Sequence, residues 1–202
     1  MDITSLANFW KVEDTHKKKE NQKGRYERLN ASPEILRIIN IGGGPGMGTV
    51  MEKIARFHFN PLLKDRDGSG HDHRYIADIT IRLEQKSSGL WDAGENSFKW
   101  QHLEIDHNWD GLLLVGIQAK QIDFWGMTRA AFVTAVKSGK VTNQGNKEKN
   151  SSEGMWMNYQ DIKDSLMKIN TNEELVTFVN ACVITPSVKI NPSKIKIVGK
   201  GA

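Results

Sequence analysis

Glu84-Gln85-Lys86 is the most compact set of chemically capable side chains in this sequence. On a strand, residues two apart share a face, so the Glu84 carboxylate and the Lys86 ammonium stand side by side with the Gln85 carbonyl between them. A hard divalent cation takes oxygen ligands, and a lysine beside it helps to orient and activate an attacking water. The chemistry of such a trio is hydrolysis at an anionic centre. Glu and Lys alternate on many exposed strands, so the triplet acquires meaning only from its surroundings.

Those surroundings place it at the end of a strand. From His71 to Lys86 the residues alternate, with Ile79, Ile81 and Leu83 on one face and Thr80, Arg82 and Glu84 on the other. Gly111–Ile117 is apolar on both faces, as expected of a central strand covered on two sides, and Phe98–Ile105 and Ile122–Met127 read as further strands. Helical spacing is found in Thr49–Phe59, Thr128–Lys137, Tyr159–Ile169 and Asn172–Val183, with Thr171 and Glu174 spaced as a capping box. Lys64–Gly70, Ser87–Ser97 and Lys140–Gly154 are polar, loop-like tracts. The expected fold is α/β: a mixed central β-sheet flanked by helices, the hairpin His71–Lys86 at its heart and the helix Thr49–Phe59 beside it. Residues 1–202 form one domain, with a core over 49–137 and a polar, basic N-terminal arm over 1–30.

Beyond the triplet come Ser87-Ser88, Leu90-Trp91, then Trp100-Gln101-His102, Trp109-Asp110 leading into the central strand, and Phe124-Trp125. In order and spacing this stretch, roughly Gly44 to Arg129, resembles PD-(D/E)XK superfamily nucleases, and among them type II restriction endonucleases. The resemblance implies a restriction-endonuclease-like core and Mg²⁺-dependent hydrolysis of double-stranded DNA. In that pattern Glu84, the Gln85 carbonyl and an upstream acid hold the metal, and Lys86 positions the nucleophile. Glu52, on the helix after the glycine-rich loop, occupies a place where the superfamily often carries another acid, and Gln101 supports the site from the next strand.

Asp72 and Asp78 compete for the upstream position. On one continuous strand Asp78 and Glu84 would lie about 20 Å apart, too far to share an ion. Asp72 comes opposite Glu84 if the hairpin turns about Asp78, where Ala77-Asp78 tolerates a turn better than the β-branched residues that follow. The expected metal ligand is therefore Asp72, with Asp78 as the alternative acid. His71 and His73 flank Asp72 on the opposite face and are read as phosphate contacts or surface residues rather than metal ligands. Ser87 and Ser88, and Lys17, Lys18 and Lys19 of the arm, are the remaining DNA-contact candidates.

The chain carries 28 Lys and Arg against 24 Asp and Glu, a formal charge of +4 that agrees with a polyanionic partner without demanding one. Its one cysteine, Cys182, sits in an apolar run and excludes a disulfide framework or a thiolate zinc site. No apolar run has the length of a membrane span, and the expected setting is cytoplasmic. Cutting both strands with one site per chain implies a two-fold homodimer. A different enzyme class is suggested by the glycine-rich loop Gly42–Gly48, which has the outline of a nucleotide- or S-adenosylmethionine-binding turn but lacks the third glycine and the P-loop lysine. A non-catalytic DNA-binding module is the other alternative. Asp106-His107-Asn108 opens like an HNH motif but has no histidine after it to complete one.

Overall fold

The computed structural model describes residues 21–41, 44–92, 94, 96–143 and 154–184. Three helices come first: α1 (Gln22–Arg28), α2 (Pro33–Ile39) and α3 (Gly44–His58). The strands β1 (Leu63–Asp65), β2 (His73–Tyr75), β3 (Asp78–Gly89), β4 (Lys99–Leu103), β5 (Gly111–Ile117) and β6 (Ile122–Thr128) follow. The chain continues through α4 (Arg129–Lys137), β7 (Val141–Asn143), β8 (Met155–Asn158), α5 (Tyr159–Ile162), a 3₁₀ turn, β9 (Met167–Lys168) and α6 (Asn172–Ile184).

Six strands form a mixed central sheet in the order β1-β2-β3-β5-β6-β9, and β4-β8-β7 form a second, three-stranded sheet. β3 runs antiparallel to β2 and parallel to β5. Every residue of β5 is buried, because both faces of the sheet are covered. On the face carrying Gly111 and Gly126, Phe178 of α6 lies where a side chain at either glycine would stand. On that side too, His58, the last residue of α3, and Phe59 directly after it meet Phe124. On the face carrying Gly116, the second sheet brings Phe98 and Trp100 against Trp125, and the Trp100 indole donates to the Val115 carbonyl at 2.9 Å. Tyr26 pins α1 to the strand ends: its hydroxyl donates to the Ile117 carbonyl and accepts the Leu90 N–H.

Several boundaries differ from expectation. The helix expected over Thr49–Phe59 begins at Gly44, so most of the glycine-rich stretch is its first turn; Gly42 and Gly43 lie outside the described residues. The segment before it is the helix α2, with Ser32 as N-cap, rather than a strand. A nucleotide-binding turn needs a strand feeding the glycines, so the Gly42–Gly48 alternative loses its frame. β3 runs through Ser87 and Ser88 to Gly89, because β5 pairs with it residue by residue over that length. The expected helix Tyr159–Ile169 is one turn, with Met167 and Lys168 pairing to Gly126 and Trp125 instead. In the tract Lys140–Gly154, Val141–Asn143 is a strand, and residues 144–153 lie outside the described residues. Of the expected arm 1–30, residues 1–20 with Lys17, Lys18 and Lys19 lie outside the described residues, whereas Gln22–Arg28 is a helix docked through the fully buried Tyr26. The capping box is present: Glu174 N–H donates to Thr171 Oγ1 at 3.2 Å and Thr171 N–H to Glu174 Oε2 at 3.1 Å. Among the described residues no helix is long and apolar enough to cross a membrane.

Candidate active site

Strand lengths create the site. β2 begins only at His73, opposite Leu83, while β3 continues to Gly89, so from Gln85 onward one edge of β3 has no neighbouring strand. A cleft of about 680 Å³ follows that open edge. Met47, Gly48, Thr49 and Glu52 of α3 line one wall, Lys99, Gln101 and His102 of β4 the other, and Gln22 and Arg25 of α1 close the end.

Asp72 stands where the missing neighbour would be. Its N–H donates to the Leu83 carbonyl at 2.9 Å, one residue before the His73–Leu83 pair that opens β2. Its carboxylate then accepts the Gln85 N–H at 2.7 Å, capping the donor that the absent strand leaves exposed. In a strand the N–H and C=O of one residue point to the same side, so the Gln85 carbonyl faces this edge as well. Glu84 and Lys86 lie on one face, with Lys86 Nζ 2.7 Å from Glu84 Oε1. The acid is buried and its partner half-buried.

Glu52 reaches the cleft from α3. Burial raises its pKa, and the Asp72 carboxylate raises it further. Gln101 and Ser87 line the cleft. The turn falls at Ile76-Ala77, and Asp78 opens β3 fully exposed, with its carboxylate accepting from Thr80 N–H and Oγ1. It is therefore the first strand residue after the turn, paired with Tyr75 rather than within the turn as expected, and six residues along β3 from Glu84.

Two expectations are corrected by burial. His73 is 0% exposed, so it makes no phosphate contact. Its Nε2 lies 2.9 Å from Gln85 Oε1 and its Nδ1 3.4 Å from Arg56 Nη1. Because arginine only donates, the consistent tautomer carries the proton on Nε2 and gives it to Gln85. Burial pushes the imidazole down to about 4, keeping it neutral. Gln85 Nε2 passes the chain on to Ser87 Oγ at 3.2 Å. His71 is buried too and bonds to Asp67 and the Ser69 carbonyl. Ser88 lines the cleft but is itself buried; its hydroxyl accepts the Lys99 N–H and donates to the Gly89 carbonyl, joining β3 to β4.

Lys99 and Arg56 escaped the sequence reading, whereas Arg25 belongs to the basic N-terminal stretch expected to run along phosphates. Of the two, Lys99 had an available signal, since it stands two residues before Gln101 and shares its strand face. Arg56 comes from a helix whose docking depends on distant contacts.

The oxygens of Asp72, Glu84 and Gln85 are hard donors suited to Mg²⁺ or Ca²⁺. Among the described residues, however, the one trio that brings its ligand atoms within 4.8 Å of one another is Glu104, Asp106 and His107, which lies outside the cleft. Asp72 is engaged with the Gln85 N–H and Glu84 with Lys86. Compared with known proteins, the chain matches no protein-family model and is similar to no curated protein.

Proposed function

We propose that this chain is a Mg²⁺-dependent, sequence-specific double-stranded DNA endonuclease with a restriction-endonuclease-like core. One observation carries the reading: Asp72 takes the place of a missing strand beside Glu84 and Lys86, along an open edge reached by Glu52. Keeping Glu52, Asp72 and Lys86 half-buried along one cleft, beside the buried Glu84, is costly unless the site uses them.

Asp72, Glu84 and the Gln85 carbonyl are the residues that would hold the ion. When bound, the ion supplies charge neutralisation at the phosphate and a more acidic water. Lys86, kept in place by Glu84, orients the nucleophile and offsets charge developing on the phosphate oxygens. Glu52, with its raised pKa, is the acid suited to hold a proton at its carboxyl. Arg25 and Lys99 supply positive charge for the strand's backbone at the cleft walls. The buried His73–Gln85 pair fixes the strand from behind and plays a positioning role. With one such site per protomer, cutting both strands is the work of a two-fold homodimer.

The test is incubation of the purified protein with plasmid DNA and Mg²⁺, with and without EDTA. Cutting that EDTA abolishes supports the reading. A protein that cuts no DNA under any divalent cation sinks it and favours the non-catalytic DNA-binding module.

A further inference from the structure

Trp91 is the one exposed large hydrophobic side chain, among the described residues, that lines the cleft; it is 46% exposed. Its position is fixed. It follows directly on the Leu90–Phe98 bridge, its N–H donates to the Ser97 carbonyl at 3.0 Å, and the next N–H, of Asp92, donates to Ser97 Oγ at 3.2 Å. Lys99 Nζ lies 4.7 Å from the Trp91 ring centroid and 5.5 Å from that of Trp156. A cation is thus held against an exposed indole on the wall of a cleft that also holds Arg25 and Lys86. This pairing of a π-surface with positive charge suits a nucleotide, whose base stacks while its phosphate is neutralised.

We propose that Trp91 is a stacking platform for an unpaired base of the strand that enters the cleft, with Lys99 on that strand's backbone. The inference rests on the nuclease reading and adds to it that one base of the duplex leaves the stack next to the cut, so that DNA already unpaired there binds more tightly. Inside an intact duplex both faces of a base are covered by its neighbours, so a side chain can stack only on a base that has left the stack. The cleft volume of about 680 Å³ fits that choice, since sites that enclose a small ligand measure about 300–1,000 Å³.

The experiment is fluorescence anisotropy in EDTA, where no chemistry occurs, using a labelled single strand, a perfect duplex and a duplex with one mismatch. Wild type is expected to bind the single strand and the mismatched duplex more tightly than the perfect duplex. Trp91→Ala should weaken binding of those two ligands at least about fivefold, and up to about a hundredfold, while Trp91→Phe retains most of the affinity. Equal affinity of wild type for all three DNAs, unchanged binding by Trp91→Ala, or no binding of any DNA would overturn the proposal. A cleavage assay on the same DNAs separates the two ideas. Trp91-dependent binding without cutting leaves the platform standing and removes the nuclease, whereas cutting with Trp91-independent binding does the reverse.

Discussion

Replacing Asp72 should separate its two jobs. Its carboxylate accepts the Gln85 N–H at 2.7 Å, and a hydrogen bond to a charged group is worth about 1.5–3 kcal/mol against about 0.5–1.5 kcal/mol for a neutral one. Asp72→Asn keeps an oxygen acceptor there, so the fold should lose only about 1 kcal/mol. Asp72→Ala leaves the Gln85 N–H facing the cleft edge without a partner, and the loss should rise to about 2–3 kcal/mol, moderated by water at this half-buried position. Activity should not follow stability. On the proposed reading both variants remove a charged metal ligand, so both should lose at least about a hundredfold in cleavage rate, a drop expected for loss of one group that stabilises transition-state charge. Asp78→Ala is the control: its carboxylate bonds only to Thr80, and cleavage should stay within about twofold of wild type. Urea unfolding gives the stabilities and single-turnover cleavage at saturating Mg²⁺ the rates. An active Asp72→Asn, or a dead Asp78→Ala that is still folded, would refute the assignment.

Burial and Asp72 hold the Glu52 pKa above its ordinary 4.5, so the folded chain keeps that proton more tightly than the unfolded chain does. Its carboxylate form therefore costs stability increasingly as pH rises above 4.5 through the raised value. Glu52→Gln should stabilise the protein at about pH 8 and change little near pH 4, as read by urea unfolding; an equal effect at both would contradict this. Tyr26→Phe leaves the buried Ile117 carbonyl and Leu90 N–H unpaired. It should cost about 2–4 kcal/mol, shifting the urea midpoint without changing the m-value. A loss below about 0.5 kcal/mol would mean that the hydroxyl does not anchor α1. Burial, with the Asp110 carboxylate adding to it, pushes the Cys182 thiol up to about 12. An aromatic disulfide reagent should find no reactive thiol in the native protein and one in urea; immediate native reaction would place Cys182 at the surface.

Periodicity read the central sheet well where packing is local in pattern. The all-apolar Gly111–Ile117 run is β5, buried throughout, and the alternation from Ile79 to Glu84 lies within β3. The choice between Asp72 and Asp78 rested on strand rise and turn chemistry alone; in the structure the Asp72 carboxylate meets the Gln85 N–H beside Glu84, whereas Asp78 is the first residue of β3. What was illegible depends on partners distant in sequence. Ser87 and Ser88 look like loop residues, yet pairing with Val115 and Gly116 keeps them in strand. His73 is polar and near a predicted surface loop, but Gln85 and Arg56 give it a buried partner on each side. The second sheet depends on Met155–Asn158 meeting Lys99–Leu103, a pairing that neither segment announces. Gly44–Gly48 reads as a turn because glycine is a poor helix former, and α3 nonetheless starts there.

Single-turnover cleavage of one DNA substrate by wild type, Glu84→Ala and Lys86→Ala, each shown by circular dichroism to be folded, tests the active-site assignment most directly. Loss of at least about a hundredfold in both variants, with wild-type cutting dependent on Mg²⁺, is the predicted result. Wild-type rates in either variant would contradict it and move the chemistry away from the open edge of β3.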